Sequence, residues 1–159
     1  RQPLSMAGMA RVTGALGFLG LGRLPAGRRQ DKPMSETSFP DNPLTGDFTR
    51  YMRMVNVVAA RPDLEITMPT IRWAAAAFGA MAEAETDRFP GRIQIPLLML
   101  AAARDRMVSS AATERLGLRM RTGRHLVVAG AQHELFMETD AIRGQVFAAF
   151  DAFVTGQSG

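Results

Sequence analysis

Residues 94–109 read Gln-Ile-Pro-Leu-Leu-Met-Leu-Ala-Ala-Ala-Arg-Asp-Arg-Met-Val-Ser, and residues 124–138 read Arg-His-Leu-Val-Val-Ala-Gly-Ala-Gln-His-Glu-Leu-Phe-Met-Glu. Each stretch opens on an apolar run, Pro96–Ala101 in the first and His125–Ala129 in the second. Runs of this length suit parallel strands covered on both faces. Ser109 to Met120 lies between them and reads as a crossover helix, which makes a right-handed β-α-β unit. One ionisable residue follows each run in an apolar setting: Asp105 after the first, His133 after the second. Parallel strands end on one edge of the sheet, and ligands bind there in open α/β proteins. The order therefore sets an acid and an imidazole on a common rim.

An Asp and then a His after consecutive strands is the back half of a Ser…Asp…His hydrolase order. The local wording goes further. Ala102-Ala103-Arg104-Asp105-Arg106-Met107-Val108-Ser109 resembles the acid loop of α/β-hydrolases, and the Ile93-Gln94-Ile95-Pro96 approach resembles theirs. Gly130-Ala131-Gln132-His133-Glu134-Leu135-Phe136-Met137-Glu138-Thr139-Asp140 resembles the histidine loop of the lysophospholipase and monoacylglycerol lipase branch. Asn42-Pro43-Leu44-Thr45-Gly46-Asp47 resembles a word that recurs in that branch before a lid helix.

The resemblance implies an α/β fold: the C-terminal half of an α/β-hydrolase, with parallel strands, flanking helices and a helical lid before them. Residues 1–91 would be the lid and 92–159 the core. It implies that Asp105 is the triad acid, accepting the Nδ1–H of His133, and that His133 is the general base. The reaction would be hydrolysis of a lipid-like carboxylic ester, a lysophospholipid or a monoacylglycerol, without a cofactor.

One part of the pattern is missing. The nucleophile of such enzymes sits in G-x-S-x-G on a strand-to-helix turn, and no such word occurs among the 159 residues. Ser5, Ser35, Ser38, Ser109, Ser110 and Ser158 lack that context, and Ser109 and Ser110 read as helix caps. Family order puts the nucleophile and the oxyanion loop before the lid. The chain starts on Arg1, so the expectation is a piece of a longer protein whose N-terminal half is its partner. The chain alone would then be inactive. The alternative is a non-catalytic lipid- or partner-binding module on an α/β-hydrolase remnant.

Composition narrows the field. There is no cysteine, which removes disulfides, thiolate catalysis and cysteine-based metal sites. Only two histidines exist. His125 starts its strand and His133 follows its strand, so they sit at opposite ends and no metal site is expected. The net charge of +4 is spread over many arginines, with a cluster only at Arg28-Arg29. That reads as a solvated surface, with peripheral contact to anionic headgroups as the functional alternative. Basic-aromatic interleaving is lacking, so no nucleic acid is expected. Val12–Gly22 is apolar but too short to span a bilayer. A cytoplasmic location is expected.

Further elements come from periodicity. Residues 1–26 suit one or two short helices, and Gly14, Gly17, Gly20 and Gly22 read as helix-packing glycines rather than a phosphate loop. Thr45 or Asp47 should cap a helix that runs to Ala60, with Phe48, Tyr51, Met52, Val55, Val58 and Ala59 on one stripe. A second helix should follow Pro69 and end at Phe89-Pro90-Gly91, with Trp73 a core or lid anchor, or else a wall of the acyl pocket. The last helix, Asp140 to Val154, should bury Ile142, Val146, Ala149, Phe150 and Phe153. Glu134, beside His133, reads as a loop-stabilising residue.

Overall fold

A computed structural model describes residues 5–27, 36–65 and 68–156. The Arg28-Arg29 pair, Leu4, Ser35 and Ser158 lie outside the described residues. Two compact units are present. The first holds the described residues up to 27 together with Leu64–Phe89, and the second holds those up to Asp63 together with Pro90 onward.

The first unit is built on two helices, α1 (Met6–Phe18) and α3 (Ile71–Ala84). Ser5 caps α1 by accepting from the Gly8 N–H, and Thr70 caps α3 by accepting from the Trp73 N–H. Each cap satisfies an N–H that the helix itself cannot. Ala26 N–H donates to the Pro69 carbonyl and Ile71 N–H to that of Leu24, both at 2.9 Å. Ile71, Ala74, Thr13 and Gly22 are buried here. Two expectations change. A Cβ added at Gly14 or Gly17 would meet nothing within 4 Å, so neither is needed for close packing. Gly20, with φ of 83°, instead takes the left-handed turn that ends α1. Trp73 is 61% exposed and is no core anchor; it lies on the side of α3 away from Ile71 and Ala74.

The second unit carries α2 (Phe48–Ala60), a short helical turn α4 (Phe89–Arg92, its first residue closing the other unit), β1 (Leu97–Ala102), α5 (Ser110–Arg119), β2 (Gly123–Val128) and α6 (Asp140–Thr155). Asp47 caps α2 by accepting the Arg50 N–H at 2.9 Å. Tyr51 is buried on α2, whereas Phe48 is 58% exposed. The helix expected to end at Phe89-Pro90-Gly91 already ends at Ala84. Proline needs no N–H partner in a first turn, and the stretch coils into α4.

β1 and β2 pair in parallel, with Leu97 opposite Gly123 and Ala102 opposite Val128. Both strands are displaced from the expected Pro96–Ala101 and His125–Ala129. β2 starts two residues earlier, so His125 sits inside the strand, opposite Met99. Alternation then sorts the side chains. Ala102, Val128, Ala131 and Val146 form the core on the α6 side, with Leu100, Leu135 and Ile142 packed against it. His125 lies on the α5 side, where Gly117 admits its ring. The strands are less covered than continuous apolar runs suggest: Leu126 is 40% exposed. Among the described residues the sheet has two strands, a narrow platform, and the buried stripe of α6 centres on Val146 and leaves Phe150 54% exposed. Among the described residues no helix is long and apolar enough to cross a membrane.

A Cβ at Gly117 would sit 2.7 Å from the Cγ and Nδ1 of His125. Gly117→Ala should therefore destabilise the fold by about 1–3 kcal/mol through overpacking. Trimming the ring in Gly117→Ala/His125→Ala should recover part of that loss. Urea unfolding of both variants checks this; a purely additive pair would show that the ring is not what the methyl strikes.

Candidate active site

Both strands deliver their trailing loops to one edge. After β1, the chain turns through Ala103 and Arg104 to Asp105. After β2, it turns at Gly130, whose φ of 77° suits glycine, and reaches His133. Backbone bonds tie the turns together: Ala103 N–H donates to Val128 O at 3.1 Å and Arg104 N–H to Ala131 O at 2.8 Å. Asp105 Oδ2 lies 2.9 Å from His133 Nδ1. The Asp105 side chain is only 4% exposed and that of His133 27%.

The two carboxylate oxygens of Asp105 do different work. Oδ1 accepts the N–H groups of Met107 at 2.8 Å and Val108 at 3.0 Å, which fixes the carboxylate plane. Oδ2 is left for the imidazole. Burial pushes the Asp105 carboxyl up, but the Val108 N–H, His133 and the Met107 N–H together hold it below the usual carboxylate range. An ionised Asp105 only accepts, so Nδ1 of His133 carries the hydrogen and Nε2 is free to take a proton. The flanking arginines do not act on Asp105 directly. Arg104 is exposed, and Arg106 donates to the carbonyls of Asn42 at 2.6 Å and Asp41 at 3.1 Å.

Through that arginine a third segment joins the site. The Asn42–Asp47 loop is a third wall, bonded to both others. His133 N–H donates to Pro43 O at 3.4 Å and Glu134 N–H to Leu44 O at 2.8 Å. Thr45 Oγ1 donates to Met137 O at 2.7 Å. Asn42 is 2% exposed, and its side-chain oxygen accepts from Leu44 and Thr45 while its amide donates to Phe39 and Thr45 carbonyls. Glu134 bonds the loop through its main chain and not its carboxylate. It is exposed and contributes its N–H. The buried carboxylate is that of Glu138, at 0% exposure. The signal was present in the His-Glu-Leu-Phe-Met-Glu spelling, where the second acid lies five residues past the histidine.

A cleft of about 180 Å³ opens beside the pair, lined by Leu100, Ala102, Val108, Ser110, Thr113 and Leu135 among others. Ser109 caps α5, accepting the Ala112 N–H at 3.3 Å. Ser110 is no cap. Its hydroxyl donates to the Ala102 carbonyl at 2.5 Å, so its proton is directed at the backbone and not at the imidazole. Asp140 opens α6 without capping it. Arg50 holds its carboxyl below the usual range and also contacts Asp47 and the Glu138 carbonyl.

The sequence pattern of the family described as "Serine aminopeptidase, S33" fits residues 12–140, most of the chain. The chain belongs to this α/β-hydrolase family. Among curated relatives, a probable lysophospholipase L2 of Haemophilus influenzae is 28% identical over 117 residues, 74% of this chain and 37% of that protein. Lysophospholipase L2 of Escherichia coli K12 is 30% identical over 122 residues, 72% of this chain and 35% of that protein. The chain thus spans little more than a third of the length of either.

Solved structures agree on the fold. A soluble variant of monoglyceride lipase from Saccharomyces cerevisiae, in complex with a substrate analog, superposes with a TM-score of 0.63 at 12% identity, covering 92% of this chain and 48% of that one. A monoacylglycerol lipase of Paleococcus ferrophilus gives 0.63 at 20% identity, covering 92% and 51%. The expected α/β-hydrolase fold and its lysophospholipase and monoacylglycerol lipase-like branch are both met.

The lowered Asp105 value has a thermodynamic consequence. Folding favours its ionised form, so its contribution is complete above the unfolded-state pKa near 4 and is lost as pH falls through the lower folded value. Thermal melts from about pH 5 to about pH 2 should show wild type losing stability more steeply than Asp105→Asn. Parallel slopes would mean that the carboxylate is not held as described.

Proposed function

We propose that this chain supplies the acid and the base of a serine hydrolase that cleaves lysophospholipid or monoacylglycerol esters. The observation that carries the proposal is the 2.9 Å contact between Asp105 Oδ2 and His133 Nδ1 at the carboxyl rim of a parallel strand pair. The lysophospholipase names of its relatives support the substrate class. In this reading a serine outside these 159 residues attacks the ester carbonyl. His133 Nε2 takes its proton and returns it to the leaving alcohol. Asp105 fixes the tautomer and stabilises the imidazolium that forms. Water then hydrolyses the acyl-enzyme by the same proton relay. Residues 1–91 serve as the lid and 92–159 as the core, with the Asn42–Asp47 loop of the lid region bonded into the site. Methionines such as Met52 and Met54 suit an acyl chain, because their unbranched side chains adapt to irregular shapes.

The family description, serine aminopeptidase, supports a second reading in which the same relay cleaves an amide at a peptide N-terminus. The complete protein should be assayed against a short-chain chromogenic ester, a lysophospholipid and an aminoacyl anilide. We expect ester and lysophospholipid hydrolysis, lost in His133→Ala and lowered by roughly four orders of magnitude in turnover in Asp105→Asn. The 159-residue chain alone should be inactive. Undiminished hydrolysis by His133→Ala ends the proposal, and activity on the anilide alone selects the amide reading.

A further inference from the structure

We propose that Glu138 is a positioning residue, whose buried carboxylate locks the histidine loop to the Asn42–Asp47 loop and so holds His133 against Asp105. The inference rests on the reading of that pair as base and acid.

Backbone N–H groups from three segments converge on this one side chain. Oε1 accepts from Gln132 at 2.7 Å and Gly46 at 3.1 Å. Oε2 accepts from Gly46 at 3.1 Å and from Thr139 at 3.4 Å. The Gln132 amide immediately precedes His133, the Gly46 amide belongs to the third wall of the site, and the Thr139 amide stands at the entry to α6. The guanidinium of Arg50 goes to the Glu138 main-chain carbonyl at 2.7 Å. Backbone dipoles are thus what the carboxylate answers to.

Burying a carboxylate is costly unless hydrogen bonds replace its water. An apolar residue of similar volume would fill the same space at lower cost. What it would not do is accept the N–H groups of Gly46 and Gln132, 92 and 6 residues away in sequence, along with that of the adjacent Thr139. Gly46 is shaped to the same contact: a Cβ there would lie 3.2 Å from Glu138 Oε2. The chemical need is positional precision. A base displaced by about 1 Å loses on the order of 100-fold in rate, although binding is little affected. Glu138 does not line the cleft and its carboxylate bonds to main-chain N–H groups, so its effect on chemistry passes through the Gln132 amide.

The test uses the complete protein with Glu138→Gln, Glu138→Ala, Gly46→Ala and His133→Ala, and Gly117→Ala as a control destabilised elsewhere. Glu138→Gln is isosteric but replaces one acceptor by a donor. Steady-state ester hydrolysis gives kcat and KM, and the His133 Nδ1 proton resonance reports the bond to Asp105 independently of activity. We expect kcat to fall about 30- to 100-fold in Glu138→Gln, with KM changed less than about threefold. Glu138→Ala should lose more, and the Nδ1 resonance should broaden in both. Gly46→Ala should shift both readouts in the same direction by a smaller factor. Wild-type kcat in a folded Glu138→Gln overturns the proposal, as does an equal loss in Gly117→Ala. If Glu138→Gln does not fold, Gly46→Ala decides, and an unchanged kcat and resonance there reject the brace. If His133→Ala keeps full activity, the hydrolase reading fails separately, and the Nδ1 resonance still decides whether Glu138 positions the ring.

Discussion

The parallel pairing of Leu97–Ala102 with Gly123–Val128 governs the layout of the second unit. Parallel strands cannot be joined by a tight turn, so the chain must cross over through α5 and start again at the same end. Both strands then finish together, and the loops that leave them meet. Had the strands been antiparallel, Asp105 and His133 would stand at opposite ends of the sheet. The Ala102–Val128 register places the last residue of each strand side by side, and the core of Ala102, Val128, Ala131 and Val146 sits directly under the two turns. Full burial of an aliphatic side chain such as Val146 contributes about 1.5–3 kcal/mol. A buried apolar cluster thus stands at the strand ends that carry the candidate site.

Above that base, order comes from directional bonds. Exposed ion pairs are weak because water screens them. The Arg61–Asp63 pair, with both side chains more than 60% exposed, falls in that class. Buried acceptors differ, since leaving their partners unsatisfied costs about 1–3 kcal/mol per group. Asn42, Asp105 and Glu138 each use their acceptor oxygens on main-chain N–H groups of the surrounding loops. Such bonds fix loops without long flexible side chains, and they leave Asp105 Oδ2 aimed at His133.

Electrostatics and geometry agree on the tautomer of His133. Two N–H donors and the imidazole outweigh burial in keeping Asp105 ionised. An ionised acceptor requires the hydrogen on Nδ1, which leaves Nε2 for proton transfer. The same geometry speaks against Ser110, whose hydroxyl proton is committed to the Ala102 carbonyl. No G-x-S-x-G word occurs among the 159 residues.

The sequence by itself determined the elements and their order. Two apolar runs with a helical stretch between them specify a β-α-β unit, because periodicity and length are local properties. The positions of Asp105 and His133 relative to the strand ends were legible too, since they depend only on the parallel direction. What tertiary structure alone decided was which polar groups meet across long sequence separations. Asn42, Thr45 and Glu138 stand out in the sequence only as letters of family words, and Thr45 also as a cap candidate, with nothing to say that they bond to one another's loops. Local rules assign a cap or a turn to a polar residue, but they do not count donors arriving from ninety residues away. The exposure of Phe150 was illegible for a related reason. Burial depends on how much neighbouring surface exists to cover a face, and a two-stranded sheet covers less than an apolar stripe asks for.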